Sequence, residues 1–221
     1  MVCRVRTVFH DQLDELFAGL ADIGNLVEDA VRLASKALLD GDLEVAERVI
    51  SGDAAIDSAR EDLEEQALAL LSLQQPVAGD LRVIVAALRM VTELERMGDL
   101  SVHVAKIARL RVPNLAVPDD LKPTMISMAE VAEDMVARVQ QIILQRDVAA
   151  AIELGRDDEI MDRLRRQGFT QLLNREWSGS IEAAVDIALL GRYYERIADH
   201  AVSIAHRVVF VVTGEKPGTE D

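Results

Sequence analysis

One cysteine, one tryptophan, two tyrosines and four phenylalanines are all that 221 residues carry of those types. With Cys3 alone, no intrachain disulfide can form, and a reducing compartment is expected. Half the chain is apolar, yet aromatics make up only 3%. A core of Leu, Ile, Val, Ala and Met suits packed helices better than a β-sandwich, whose strands favour aromatic and β-branched residues. Positive charge is scarce too: 24 Lys and Arg stand against 39 Asp and Glu, a formal charge of −15. That balance excludes nucleic acid as a partner, because phosphate binding needs a concentrated basic surface. The N-terminus, Met-Val-Cys-Arg-Val-Arg-Thr-Val, lacks the apolar stretch of a signal peptide. The apolar run from Val208 to Val212 is too short to span a bilayer, so no transmembrane segment and a cytoplasmic location are expected. Missing as well are a glycine-rich phosphate loop and a Gly-x-Ser-x-Gly elbow. None of the four histidines has an acid three residues before it, which excludes the Glu-x-x-His pattern of di-iron oxidase bundles.

What the chain has is helical periodicity. Apolar residues recur at helical spacing from Thr7 to about Leu39, and Asp40-Gly41-Asp42 supplies a stop and a new N-cap. A second helix is predicted from about Leu43 to Leu73, with Gly52 a mild weakness, and Gln74-Gln75-Pro76 breaks it. A third runs from near Ala78 to about Arg111. Val112 to Pro123 holds three prolines in twelve residues and reads as a linker. Helices from about Thr124 to Gln145, onward to about Leu173, and from Ser180 to Val212 follow, with a break at Asn174 to Gly179. The expected architecture is all-α: two tandem, duplicated three-helix bundles of six long antiparallel helices. Residues 1–112 form the first unit, 113–123 the linker, 124–212 the second unit and 213–221 a polar tail. A coiled-coil rod would share the periodicity, but the duplication described next favours compact bundles.

Glu95-Arg96-Met97-Gly98-Asp99 returns one hundred positions later as Glu195-Arg196-Ile197-Ala198-Asp199. Upstream, Asp42, Asp53 and Asp57 return as Asp147, Asp158 and Asp162 at an offset of 105. Each copy therefore carries two acidic pairs at i, i+4, on one helix face, where like charges repel. In so acidic a chain roughly seven such pairs arise by chance, so their existence alone means little. Their recurrence in register is what counts. Ionised carboxylates favour hard cations such as Mg, Mn, Ca or oxidised Fe. Asp53/Asp57 are expected to face Glu95/Asp99, and Asp158/Asp162 to face Glu195/Asp199. Asp57 and Glu95 each lie about 17 residues from the turn between their helices, which puts both roughly 25 Å from it.

Among neighbouring residues, His103 lies one turn beyond Asp99, but Ser203 is its counterpart, so it is a poor ligand. His10, His200 and His206 read as surface or boundary residues. Arg96 and Arg196 either orient the carboxylates or make plain surface salt bridges. Gly98, matched by Ala198, allows close helix approach or ion access. Trp177 reads as a packing anchor.

With an Asp-x-x-x-Asp in the second helix and Glu-Arg-x-x-Asp in the third of each copy, the chain resembles the PhoU family of phosphate-uptake regulators. Gln75-Pro76-Val77-Ala78-Gly79-Asp80-Leu81-Arg82 is similar to that family's entry into its third helix. The likeness spans about residues 7 to 212. The second copy departs from it, with Asn174 to Ser180 where the first has its Gln-Pro segment. The resemblance implies a non-enzymatic cytoplasmic adaptor that represses the phosphate-starvation response. It would couple the ATPase of a phosphate ABC transporter to a sensor histidine kinase, and a homodimer is expected. It also implies multinuclear clusters of Mg, Mn or Fe held by Asp53, Asp57, Glu95, Asp99, Asp158, Asp162, Glu195 and Asp199.

Two other readings compete. A di-metal carboxylate hydrolase acting on phosphate compounds would need an open coordination position and a general base besides the ligands. The sequence offers no distinct base. A metal-free helical scaffold would leave its acids solvated.

Overall fold

A computed structural model describes residues 2–74, 76, 78–174, 177 and 179–215, with backbone alone for 2–8, 73 and 74. Six helices follow one another: α1 (Val2–Asp40), α2 (Leu43–Gln74), α3 (Gly79–Arg111), α4 (Lys122–Gln145), α5 (Val148–Leu172) and α6 (Ile181–Thr213). No strand occurs among the described residues. The structure is an all-α bundle. The side chains of Cys3 and Val8, residues Gln75, Val77, Arg175, Glu176 and Ser178, and the end of the polar tail lie outside the described residues.

Local chemistry accounts for the boundaries. The Asp42 carboxylate accepts a hydrogen bond from the Val45 N–H at 3.0 Å, and Asp147 accepts from Ala150 at 3.0 Å. These two members of the repeated acidic set are the N-caps of α2 and α5, which leaves the other pairs free for another role. Ser180 caps α6 through the Ala183 N–H. Gly41 leaves α1 at φ +68°, a left-handed conformation that glycine adopts without penalty. Its counterpart at the end of α4 is Arg146, at φ +51°. That arginine stacks 4.4 Å over the Phe17 ring and reaches Asp14 at 2.5 Å.

Two boundaries differ from those the sequence suggested. α1 begins at Val2, ahead of Thr7, since neither proline nor glycine interrupts Val2 to Arg6. Lys122 and Pro123 form the first turn of α4 rather than belonging to the linker, because proline's missing N–H costs no bond there. Gly52 does not break α2.

Within each triplet the helices pack on one another; between triplets, α1 packs on α4 and α3 on α6. The buried residues of all six helices join in one apolar core. α3 and α6 are antiparallel, as three contacts show. Arg82 lies over Phe210, Glu93 meets His200, and His103 stacks on Tyr193 at 5.3 Å. This register brings Met97 level with Ile197, both fully buried. The chain thus has an internal two-fold relation whose axis passes between the repeated pentads. Buried polar contacts tie the triplets together further. Tyr194 donates its hydroxyl to Ser35 Oγ at 3.1 Å, and burial pushes the Tyr194 phenol well above its usual range. Arg111 donates two hydrogen bonds to the buried Asp186, at 2.5 and 3.1 Å.

Candidate functional site

The helical repeat sets the heights of the acidic residues. α2 and α3 are antiparallel: Arg109 at the far end of α3 pairs with Glu47 near the start of α2. Midway along, Asp53 comes to Gly98, where a Cβ would lie 3.8 Å from Asp53 Oδ1 and 2.9 Å from Ile56 Cδ1. A glycine there lets the two helices close on one another. In the second triplet Ala198 occupies the matching position, and it is fully buried.

Electrostatics record the same clustering. Burial raises the Asp53 carboxyl above its ordinary range, and the charges of Asp99 and Asp57 add to the effect against Lys106 and His103. Burial also raises Glu95, together with Asp99 and Asp57, while Arg96 and Arg60 oppose it. In the second triplet burial raises Asp158, reinforced by Asp199, Asp162 and Glu195, with no opposing cation. Asp199 is raised by burial and Glu195, against Arg192 and His200. The carboxylates of each triplet, Asp53, Asp57, Glu95 and Asp99 in one and Asp158, Asp162, Glu195 and Asp199 in the other, thus feel one another's charge without closing on one point. Each set resists holding all its charges at once.

The arginines around the acids only partly match the repeat. Arg96 reaches Asp99 at 3.0 Å and Glu95 at 3.5 Å. Its counterpart Arg196 makes no ion pair among the described residues. In the second triplet Arg192 takes that position instead, pairing with Glu195 and lying 3.9 Å from Asp199. Arg165 adds a second cation to Glu195 at 3.2 Å, and Glu195 is only 7% exposed. Arg60 and Arg165 repeat at the same 105-residue offset as the aspartates, and Arg60 pairs with Glu64 at 2.8 Å. Thr92 stands where the second copy has Arg192.

The remaining expectations resolve individually. His103 stacks on Tyr193. His200 is not a plain boundary residue: its Nδ1 lies 2.6 Å from Glu93, which Arg207 also contacts at 2.7 Å. Burial works to raise Glu93, but these partners prevail and hold it below the ordinary carboxylate range. Trp177 packs against the core, and a Cβ on Gly179 would run into its ring.

As a donor set, four carboxylates per triplet fit a hard cation, and small residues at 98 and 198 permit close approach. In the side-chain arrangement seen, no three Asp, Glu, His or Cys groups among the described residues close on one point. Glu95, Asp99 and Glu195 are turned toward arginines. Holding a cation would require those carboxylates to exchange arginine for metal.

No helix of the structure is long and apolar enough to cross a membrane, among the described residues. The family model for the PhoU domain matches twice, over residues 20–108 and 125–208. A phosphate-specific transport system accessory protein, PhoU homolog 2 of Mycobacterium tuberculosis, is 45% identical over 96% of this chain and 100% of its own length. A PhoU homolog of Rhizobium meliloti is 30% identical over 98% of this chain and 92% of its own. The crystal structure of PhoU from Pseudomonas aeruginosa superposes with a TM-score of 0.85 at 28% identity, covering 94% of this chain and 100% of that one. Sequence, duplicated architecture and fold agree over nearly the full length, and the chain belongs to the PhoU family.

Proposed function

We propose that this protein is a metal-binding regulatory adaptor of phosphate transport. It works in the cytoplasm and represses the phosphate-starvation response by coupling the ATPase of a phosphate ABC transporter to a sensor histidine kinase. The observation that carries this reading is the full-length likeness to relatives named as accessory proteins of phosphate-specific transport systems. The geometry supports it. The acids occur as like-charged sets flanked by arginines, and His103, the nearest imidazole in the first triplet, is engaged by Tyr193. Neither arrangement supplies a distinct general base, so an adaptor is favoured over a hydrolase.

Asp53, Asp57, Glu95 and Asp99 would hold one cluster of hard cations, and Asp158, Asp162, Glu195 and Asp199 another. Bound cations would cancel the mutual repulsion of the carboxylates and stiffen the α2/α3 and α5/α6 contacts. Arg96, Arg165 and Arg192 are positioned to orient the acids or to neutralise them in the cations' absence. Self-association as a homodimer belongs to the same proposal and is read by light scattering.

Deletion of the gene is expected to leave phosphate-starvation genes switched on in high phosphate, and normal repression in the deletion strain would overturn the regulatory reading. Elemental analysis of protein purified without chelator is expected to find Mn, Mg or Fe. Metal-free protein that still restores repression would make any metal dispensable to regulation.

A further inference from the structure

The sequence segment leading into α3 has no part in the acidic sites, yet it builds a distinctive surface. Leu81, Arg82, Val85 and Arg89 recur at helical spacing on the first three turns of α3. Antiparallel packing sets them beside Arg207 and Phe210 on the last turns of α6, around a groove of about 260 Å³. Leu81 and Val85 are 41% and 38% exposed, although their spacing continues the apolar face of the helix. Arg82 lies 5.6 Å over the Phe210 ring.

Three arginines, Arg82, Arg89 and Arg207, line this groove and no acid does. Arginines across the chain pair with carboxylates, among them Arg32, Arg60, Arg96, Arg109, Arg138 and Arg192. Arg82 and Arg89 have no carboxylate partner among the described residues, in a chain of net charge −15. Arg207 shares Glu93 with His200, and the Nε atoms of both Arg82 and Arg207 are buried without a hydrogen-bond partner. Asp80, the acid in the first turn of α3, does not line the groove. At the related end of the molecule, Glu182 and Leu189 replace Arg82 and Arg89, and Glu182 is neutralised by Arg111. The cationic groove therefore occurs at one end of the two-fold relation.

We propose that this groove docks an acidic segment of a protein partner. One large apolar side chain of the segment sits between Leu81, Val85 and Phe210, and flanking carboxylates meet the Arg82 and Arg89 guanidinium groups. A volume of about 260 Å³ falls below the roughly 300–1,000 Å³ of small-molecule pockets but accommodates a single anchor residue. A net charge of −15 opposes the approach of a long polyanion such as nucleic acid, so the partner is a short segment whose few acids pair directly with these arginines. This inference does not rest on the phosphate reading, since peptide capture and the deletion phenotype are separate measurements.

The test is a peptide-display selection against the full-length protein, with depletion on the Val85→Asp/Arg89→Glu double variant. Both positions are exposed, and circular dichroism would verify folding, with Arg89→Glu alone as the second variant. Enriched peptides are expected to be net negative around one Phe, Trp or Leu. A synthetic consensus peptide is expected to bind the wild type at least tenfold more tightly than either variant, with Arg89→Lys intermediate and affinity falling as NaCl rises. Recovery of neutral or basic peptides, binding indifferent to Arg89→Glu, or occupancy by laurate with no peptide enriched would each overturn the proposal.

Discussion

His200 on α6 brings its Nδ1 to 2.6 Å from the Glu93 carboxylate on α3, joining the two triplets beside their shared axis. Glu93 also takes Arg207, and both carboxylate oxygens are thereby engaged. Glu93→Gln keeps the shape but removes the charge. The expected cost is about 2 kcal/mol, the scale of a hydrogen bond to a charged group. A chain of this size would then lose roughly 4–8 °C in Tm. Thermal melts at neutral pH measure it, and an unchanged Tm would show that the contact does not tie the triplets together.

The pH dependence of the metal-free protein follows from the raised carboxyls. Asp53, Glu95, Asp158 and Asp199 all bind protons more readily folded than unfolded. Uptake of those protons therefore favours the folded state, and stability rises as pH falls from neutral through their raised range. Glu93 acts in the opposite sense, since its depressed carboxyl loses stabilisation as pH falls through its folded value. In chelator, Tm is expected to climb between neutral and mildly acidic pH and then turn down. A monotonic fall from neutral pH would contradict this.

Neutralising the acids should separate folding from metal binding. Asp99→Asn and Asp199→Asn are each expected to stabilise the metal-free protein slightly, by about 0.5 kcal/mol from relieved like-charge repulsion. Each variant should lose only its own triplet's share of the Tm increase that Mn²⁺ gives the wild type, a share that reaches about 2.7 kcal/mol per site at a free ion concentration a hundred times Kd. Scanning calorimetry with and without Mn²⁺ reads both effects. A wild type whose Tm ignores Mn²⁺, Mg²⁺ and Fe alike would remove the metal from the proposal.

Arg146 offers a test of backbone strain. Its left-handed conformation costs about 1 kcal/mol for a residue with a Cβ, and its contacts with Phe17 and Asp14 offset this. Arg146→Ala keeps the strain and loses the contacts, so it should destabilise by about 1 kcal/mol. Arg146→Gly loses the contacts and the strain together, so it should be close to neutral. Equal loss in both variants would show that the contacts alone matter.

Much of this architecture was legible in the sequence because each element is bounded by local chemistry. Asp42, Asp147 and Ser180 cap helices from their own positions, and the repeat offset carries one triplet's plan to the other. The placement of each acidic pair on one helix face was legible for the same reason, since residues four apart must share a face. What was not legible lies between helices distant in the chain. Arg192 and Arg165 come to Glu195 from a neighbouring turn and from another helix, and only Arg165 leaves a trace, through its repeat partner Arg60. The engagement of His103 by Tyr193, and of His200 by Glu93, depends on the α3/α6 register, which no local pattern encodes.

That register has an evolutionary consequence. Two like halves meeting across an axis would, as separate chains, come apart on dilution and show every substitution twice. Covalent joining removes both constraints. The pairing of α3 with α6 holds at any concentration, and each half is free to drift alone. Thr92 on one side and Arg192 on the other are such a divergence, as are Arg89 and Leu189. An asymmetric molecule has been built on a symmetric frame, and its two related ends carry different charge.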